Sequence, residues 1–269
     1  MCFDHDALPP HVPHDIPGLH LMANPDAEIA SRQRITLTSA DGTSFAAYLA
    51  RPAHPTGAGI VILPDVRGLF AFYEELAARF ASVGVEALTI DYFGRTSPIE
   101  GRGADFDFMA QVMQTKPEQI SQDVQAGIDR LRQEAGPDLK AVFTVGFCFG
   151  GGNSLQQAAN HHGLAGVIAF YGPPTASRFG NPAPIDRISE FECPVLGLYG
   201  GADQGIPTAE VERFDQALTT AGLDHTIIIY PNAPHSFFDR TADQYQQESA
   251  DAWKQMLAFI AANTPKATI

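Results

Sequence analysis

One cysteine sits where a strand runs directly into a helix: Gly146-Phe147-Cys148-Phe149-Gly150. The residues before it, Lys140 to Val145, are apolar and β-branched, as a buried strand requires. Those after it, Gly151 to Ala159, read as a helix with a glycine-rich first turn. Such a junction leaves no room for a loop. The junction residue must take a strained backbone conformation, and flanking glycines remove the side chains that would clash there. The pattern is the nucleophile elbow G-x-S-x-G with sulfur where serine usually stands. The following helix points its positive end at the thiol and favours thiolate. A small core cysteine before a tightly packed helix is the plainer alternative.

The flanking chain alternates strand and helix. Arg34 to Thr38 and Phe45 to Leu49 read as an antiparallel pair joined at Asp41-Gly42. Gly59 to Leu63 is a continuous apolar run, expected of a strand covered on both faces. A helix over Phe72–Val83, a strand over Val85–Ile90 and a helix over Pro117–Ala135 lead to the elbow strand. Beyond the elbow come strands at Leu164–Tyr171, Pro194–Tyr199 and Thr226–Tyr230, with helices at Thr208–Ala221 and Ala242–Ala262. This order predicts an α/β fold, a mostly parallel, doubly wound sheet flanked by helices. Residues 1–30, rich in Pro and His, read as an irregular arm, and residues 31–269 as a single domain. Segments 95–116 and 172–192 are the expected pocket-lining insertions. Cys2 with His5, His11, His14 and His20 matches no zinc spacing, so no metal is expected there.

A formal net charge of -14 makes nucleic acid and anionic membrane poor partners. The three cysteines, Cys2, Cys148 and Cys193, lack framework spacing and fit reduced thiols in a cytoplasmic protein. No apolar window reaches the length of a membrane span. Met1 to Asp6 has neither the charged nor the apolar region of a signal peptide.

A cysteine nucleophile needs a base, and the base needs an orienting group. In a sheet of this kind the chain order is nucleophile, acid, histidine. Asp203 follows the strand ending at Tyr199, and His235 follows the strand ending at Tyr230. Both therefore fall at the sheet edge that carries Cys148. Taken singly, Asp203 could be a turn former and His235 an ordinary loop histidine. The backbone N–H of Phe149 is one oxyanion donor. The loop Pro64 to Leu69 supplies the second, for which Val66 N–H is the candidate.

The segments Gly146 to Gly151, Gly200 to Asp203 and Pro234-His235-Ser236-Phe237 resemble the dienelactone hydrolase family of α/β-hydrolases, from about Arg32 to Phe259. The resemblance implies hydrolysis of a small lactone or ester, carboxymethylenebutenolide being the family's namesake substrate. It implies Cys148 as nucleophile, His235 as base and Asp203 as orienter, no metal or organic cofactor, and a cytosolic monomer acting on a small molecule. An auxiliary acid on the oxyanion loop, Glu in the namesake enzymes, corresponds to Asp65. Two arginines hold the substrate carboxylate in those enzymes. Arg95 matches one; the other position, four residues beyond the histidine, is Asp239. Arg240 or Arg67 then substitutes, or the substrate differs. Phe147, Tyr171 and Phe237 are further substrate-binding candidates. Two other classes remain: a broader carboxylesterase or thioesterase with a neutral acyl substrate, and a non-catalytic binding or redox-responsive thiol protein.

Overall fold

A computed structural model describes residues 29–97, 102, 106–176 and 182–266. The predicted N-terminal arm, with its cysteine and four histidines, lies outside these residues apart from its last two positions. Those two open the first strand, β1 (Ile29–Thr38), which starts earlier than the sequence pattern indicated. β1 pairs antiparallel with β2 (Ser44–Pro52), and β2 antiparallel with β4 (Glu86–Ile90). All other pairings are parallel, in the order β1-β2-β4-β3-β5-β6-β7-β8. The remaining strands are β3 (Ala58–Leu63), β5 (Ala141–Phe147), β6 (Gly166–Phe170), β7 (Val195–Gly200) and β8 (His225–Tyr230).

β3, β5, β6 and β7 are buried at every position, which is why their sequences are continuous apolar runs rather than alternating ones. Helices α1 (Ala71–Ser82) and α6 (Gln246–Ala262) cover one face, where the rings of Phe80 and Trp253 meet at 5.0 Å. On the other face lie α3 (Pro117–Ala135), α4 (Phe149–Gln157) and α5 (Thr208–Ala221). Pro117 opens α3 in its first turn, where its missing N–H costs no helical bond. Gly222 closes α5 at φ 69°, a left-handed cap that glycine adopts without strain. Segment 95–116 contains a short helix, α2 (Phe108–Val112), and α6 begins four residues later than the apolar spacing indicated.

The sheet reverses direction of growth at β3, whose neighbours are β4 on one side and β5 on the other. The crevice beyond the strand C-termini at such a switch is where α/β sheets hold their ligands. Cys148 lies there, at the end of β5.

Candidate active site

Cys148 is the only residue between β5 and α4, with φ 56° and ψ -112°. A non-glycine residue in this region costs about 1–3 kcal/mol, sustained only where surrounding structure dictates it. Backbone hydrogen bonds and two glycines fix it. Cys148 N–H donates to Phe170 O at 3.0 Å, and Gly152 N–H donates to Cys148 O at 3.1 Å. A side chain on Gly146 would collide with the backbone of Gly150, and one on Gly150 with the carbonyls of Leu63 and Pro64. The two glycines thus let the first turn of α4 press against both the elbow strand and the Pro64–Leu69 loop.

His235 Nδ1 lies 2.6 Å from Asp203 Oδ2. The carboxylate accepts, so Nδ1 carries the proton. Asp203 Oδ1 meanwhile accepts from the backbone N–H groups of Gly205 at 2.7 Å and Ile206 at 3.2 Å. The two loops are also joined through their backbones: Gly201 N–H donates to Tyr230 O at 2.7 Å and Ala202 N–H to Ala233 O at 3.0 Å. The register of β7 with β8 therefore carries directly into the Asp–His pair. The Tyr171 ring packs 4.9 Å from the imidazole and backs it from the core side.

Cys148, Asp203 and His235 all line one cavity of about 480 Å³, together with Val66, Phe149 and Arg240. Among the described lining residues, Arg240 is the one cation.

The other arginines are placed differently from what the resemblance implied. Arg95 reaches Asp123 on α3 at 2.6 Å and Asp41 in the β1–β2 turn at 3.0 Å. It joins the hairpin to α3 and is not in the cavity wall. Burial pushes the Asp123 carboxyl up, with Arg95 and Ser39 opposing. Arg67 is buried, with Nε 3.0 Å from both carboxylate oxygens of Asp65 and Nη2 3.8 Å from Asp239. Burial alone would lower its pKa; Asp65 foremost, with Tyr73 and Asp239, outweighs burial and holds it above the usual value. Asp65 likewise faces Arg67 within its own loop, and its backbone N–H donates to Tyr73 OH at 2.9 Å. Phe147 and Phe237 are fully buried core rings, not wall residues. Phe147 stacks on Phe170 at 4.7 Å, and Phe237 packs on Tyr230 at 5.1 Å. For Phe147 the physical reason is strand geometry: a residue ending a doubly covered strand points into a helix layer, not into the crevice above it.

Sequence reasoning missed Arg102. It forks onto Asp91 at 2.7 and 2.8 Å, beside the rings of Phe93 and Phe106. Asp91 also accepts from Leu69 N–H at 3.2 Å, which anchors the Val66 loop from below. No local pattern announces that pair.

The dienelactone hydrolase family profile matches residues 45–264. The chain belongs to this family. It is 30% identical over 250 residues to a Salmonella typhimurium protein named "Putative carboxymethylenebutenolidase", covering 90% of each chain. A Yersinia pestis protein of the same name is 29% identical over 234 residues, covering 84% of this chain and 86% of that one. Among solved structures, "Putative Dienelactone Hydrolase" from Klebsiella pneumoniae superposes with a TM-score of 0.74 at 28% identity, covering 86% of this chain and 99% of that one. The acylaminoacyl peptidase of Pyrococcus horikoshii, at 16% identity and a TM-score of 0.71, covers 88% of this chain and 42% of that one and shares the fold. This family member is thus a dienelactone hydrolase-like hydrolase of α/β-hydrolase fold. Among the described residues, no helix is long and apolar enough to cross a membrane. No cluster of three or more His, Cys, Asp or Glu side chains among them could hold a metal ion.

Thiol chemistry separates the two described cysteines of this hydrolase. Cys193 is buried, and burial, reinforced by Glu192, pushes its thiol up to about 12. Cys148 opens on the cavity at a helix N-terminus. Iodoacetamide at pH 7.5 followed by peptide mapping should label Cys148 and leave Cys193 unmodified in the folded protein. Equal labelling of both would contradict this difference in environment.

Proposed function

We propose that the protein hydrolyses a small lactone or activated ester through a cysteine acyl-enzyme, with Cys148 as nucleophile, His235 as general base and acid, and Asp203 as its orienting carboxylate. The observation that carries this reading is the strained cysteine opening on the same cavity as a 2.6 Å imidazole–carboxylate pair. Asp203 holds the proton on Nδ1, which leaves Nε2 as the base. The α4 N-terminus lowers the cost of thiolate at Cys148. Nε2 takes the Cys148 thiol proton, the sulfur adds to the substrate carbonyl, and the oxygen takes the negative charge between the N–H groups of Phe149 and Val66. A single such donor is worth about 3 kcal/mol. The carbonyl carbon's bond to the leaving oxygen then breaks, and His235 passes the proton taken from Cys148 to that oxygen, or to solvent where the leaving group is a stable enolate, which frees Nε2. Water loses a proton to Nε2 as its oxygen attacks the thioester. The carbon–sulfur bond breaks, and thiolate and carboxylic acid are released.

Sulfur is itself a good leaving group, so a poor alkoxide loses the competition when the tetrahedral adduct collapses. Enol lactones and aryl esters should therefore outrun simple alkyl esters. A carboxylate on the substrate would face Arg240, since Arg95 and Arg67 are engaged by Asp123, Asp41, Asp65 and Asp239. That engagement favours the second reading, a neutral acyl substrate, over a two-arginine carboxylate clamp.

A panel of a dienelactone, p-nitrophenyl acetate and ethyl acetate tests the reading. The first two should show a product burst stoichiometric with enzyme or steady turnover at least about 100-fold above ethyl acetate, the difference expected where leaving-group departure limits the rate. Absence of turnover on all activated substrates would remove the hydrolase mechanism. Arg240→Ala should raise KM for the anionic lactone about tenfold and leave p-nitrophenyl acetate unchanged, the loss of one charge-assisted contact. Equal effects on both would favour the neutral-substrate reading.

A further inference from the structure

Three charged side chains lie buried beneath the cavity on two different loops. Arg67 and Asp65 belong to the loop that presents Val66; Asp239 belongs to the loop that presents His235 and Arg240. Side-chain exposure is 3% for Arg67 and 0% for each carboxylate. Burying three charges is costly, and a hydrophobic trio would pack as well without that cost. A device that fixes one loop against another is the best-attested use for such a group.

The geometry has a direction. Asp65 grips the guanidinium through Nε and Nη2, and also accepts from Arg67 N–H at 2.8 Å. The Phe70 ring lies 4.1 Å from the guanidinium carbon and covers its face. Arg67 is thus held rigidly on its own loop while Nη2 reaches 3.8 Å toward Asp239 Oδ2 on the other. Asp239 in turn accepts from the backbone N–H of Arg240 through Oδ1, at the point where that residue enters the cavity wall. Ser236, between His235 and Asp239, is fully buried with φ 62°. A non-glycine residue in this region persists only where the surrounding structure dictates it, and Ser236 O accepts here from the N–H groups of Asp239 at 3.2 Å and Thr241 at 3.3 Å. His235 is tied at one end by Asp203, and Asp239 stands at the other.

We propose that Arg67 is a positioning residue. Through Asp239 it ties the Val66 loop to the loop of His235 and Arg240, setting the distance between the oxyanion donor and the base. Its kinetic consequence rests on the hydrolase reading above; the tie itself does not.

Asp239→Asn keeps the shape, removes the cross-loop charge and leaves Asp65 and Arg67 as a balanced pair. Amide exchange in the 64–69 segment should rise about tenfold or more, as expected when a loop loses a tertiary tie. Single-turnover acylation by p-nitrophenyl acetate should slow about tenfold, a partial loss of one oxyanion donor. Alkylation of Cys148 by iodoacetamide, which builds no oxyanion, should stay within about twofold, because the elbow and α4 are unchanged. The triple variant Asp65→Asn, Arg67→Gln, Asp239→Asn removes every charge of the cluster and should show the same pattern. It serves as the test if the single variant fails to fold. Unchanged exchange in 64–69 in both variants overturns the tie. Raised exchange with unchanged acylation overturns the positioning role, and parallel loss of acylation and alkylation reduces Arg67 to a general structural part. If the unaltered protein shows no acylation, the hydrolase reading fails by itself, and the exchange result still decides whether the loops are tied.

Discussion

Replacing Cys148 with alanine should lower turnover on p-nitrophenyl acetate by about 10⁴-fold or more, and His235→Ala should come close to it, since members of a nucleophile–base unit fail together. Asp203→Asn should cost about 10²- to 10⁴-fold, because the amide no longer holds the proton on Nδ1. None of the three sites supports a large core, so melting temperatures should stay near that of the parent. One contrast makes the result sharper. Cys148 occupies φ 56°, which alanine tolerates no better than cysteine. Cys148→Gly should therefore be inactive yet more stable than Cys148→Ala by about 1 kcal/mol, the relief of backbone strain. A pure Cys148→Ala protein with retained turnover would remove the nucleophile assignment. Equal stability of the alanine and glycine variants would remove the strain argument.

Gly150→Ala should be strongly destabilising, as should Gly146→Ala in the same elbow. The added methyl would fall against the carbonyls of Leu63 and Pro64, which are backbone atoms that cannot rotate away. Overpacking of this kind costs about 3 kcal/mol or more. For a chain of this size that is a fall of about 6–12 °C in melting temperature. Gly42→Ala is the control. Its φ is 86°, but nothing lies within 4 Å of the added atom, so only the backbone preference is lost. That should cost about 1–2 kcal/mol. Thermal unfolding of both variants separates collision from conformational strain; equal losses would show that the crowding at Gly150 is relieved by movement. The crowding matters for chemistry because Leu63 and Pro64 begin the loop that presents Val66.

Much of the architecture was legible because its causes are local. α3 and α5 match their apolar spacing, and Pro117 and Gly222 mark a start and a stop. The elbow is legible because its requirement spans only Gly146 to Gly150. Asp203 and His235 were legible because each follows a strand that must end at the same sheet edge. Boundaries were read less well where helix ends depend on packing, as at the start of α6. The arginines were not legible at all. Arg95, Arg67 and Arg240 carry the same charge and lie in similar polar loops, yet one joins a hairpin to a helix, one is buried between two aspartates, and one lines the cavity.

The amino-acid order, then, determined the parallel α/β sheet, the cysteine junction and the chain positions of the acid and the histidine, since periodicity and steric demand act over a few neighbouring residues. Only the tertiary structure decided which cations reach the cavity and how its loops are held together. Coulomb attraction depends on distance in space, and Arg67 meets Asp239, as Arg95 meets Asp41 and Asp123, only after the fold has brought their segments side by side.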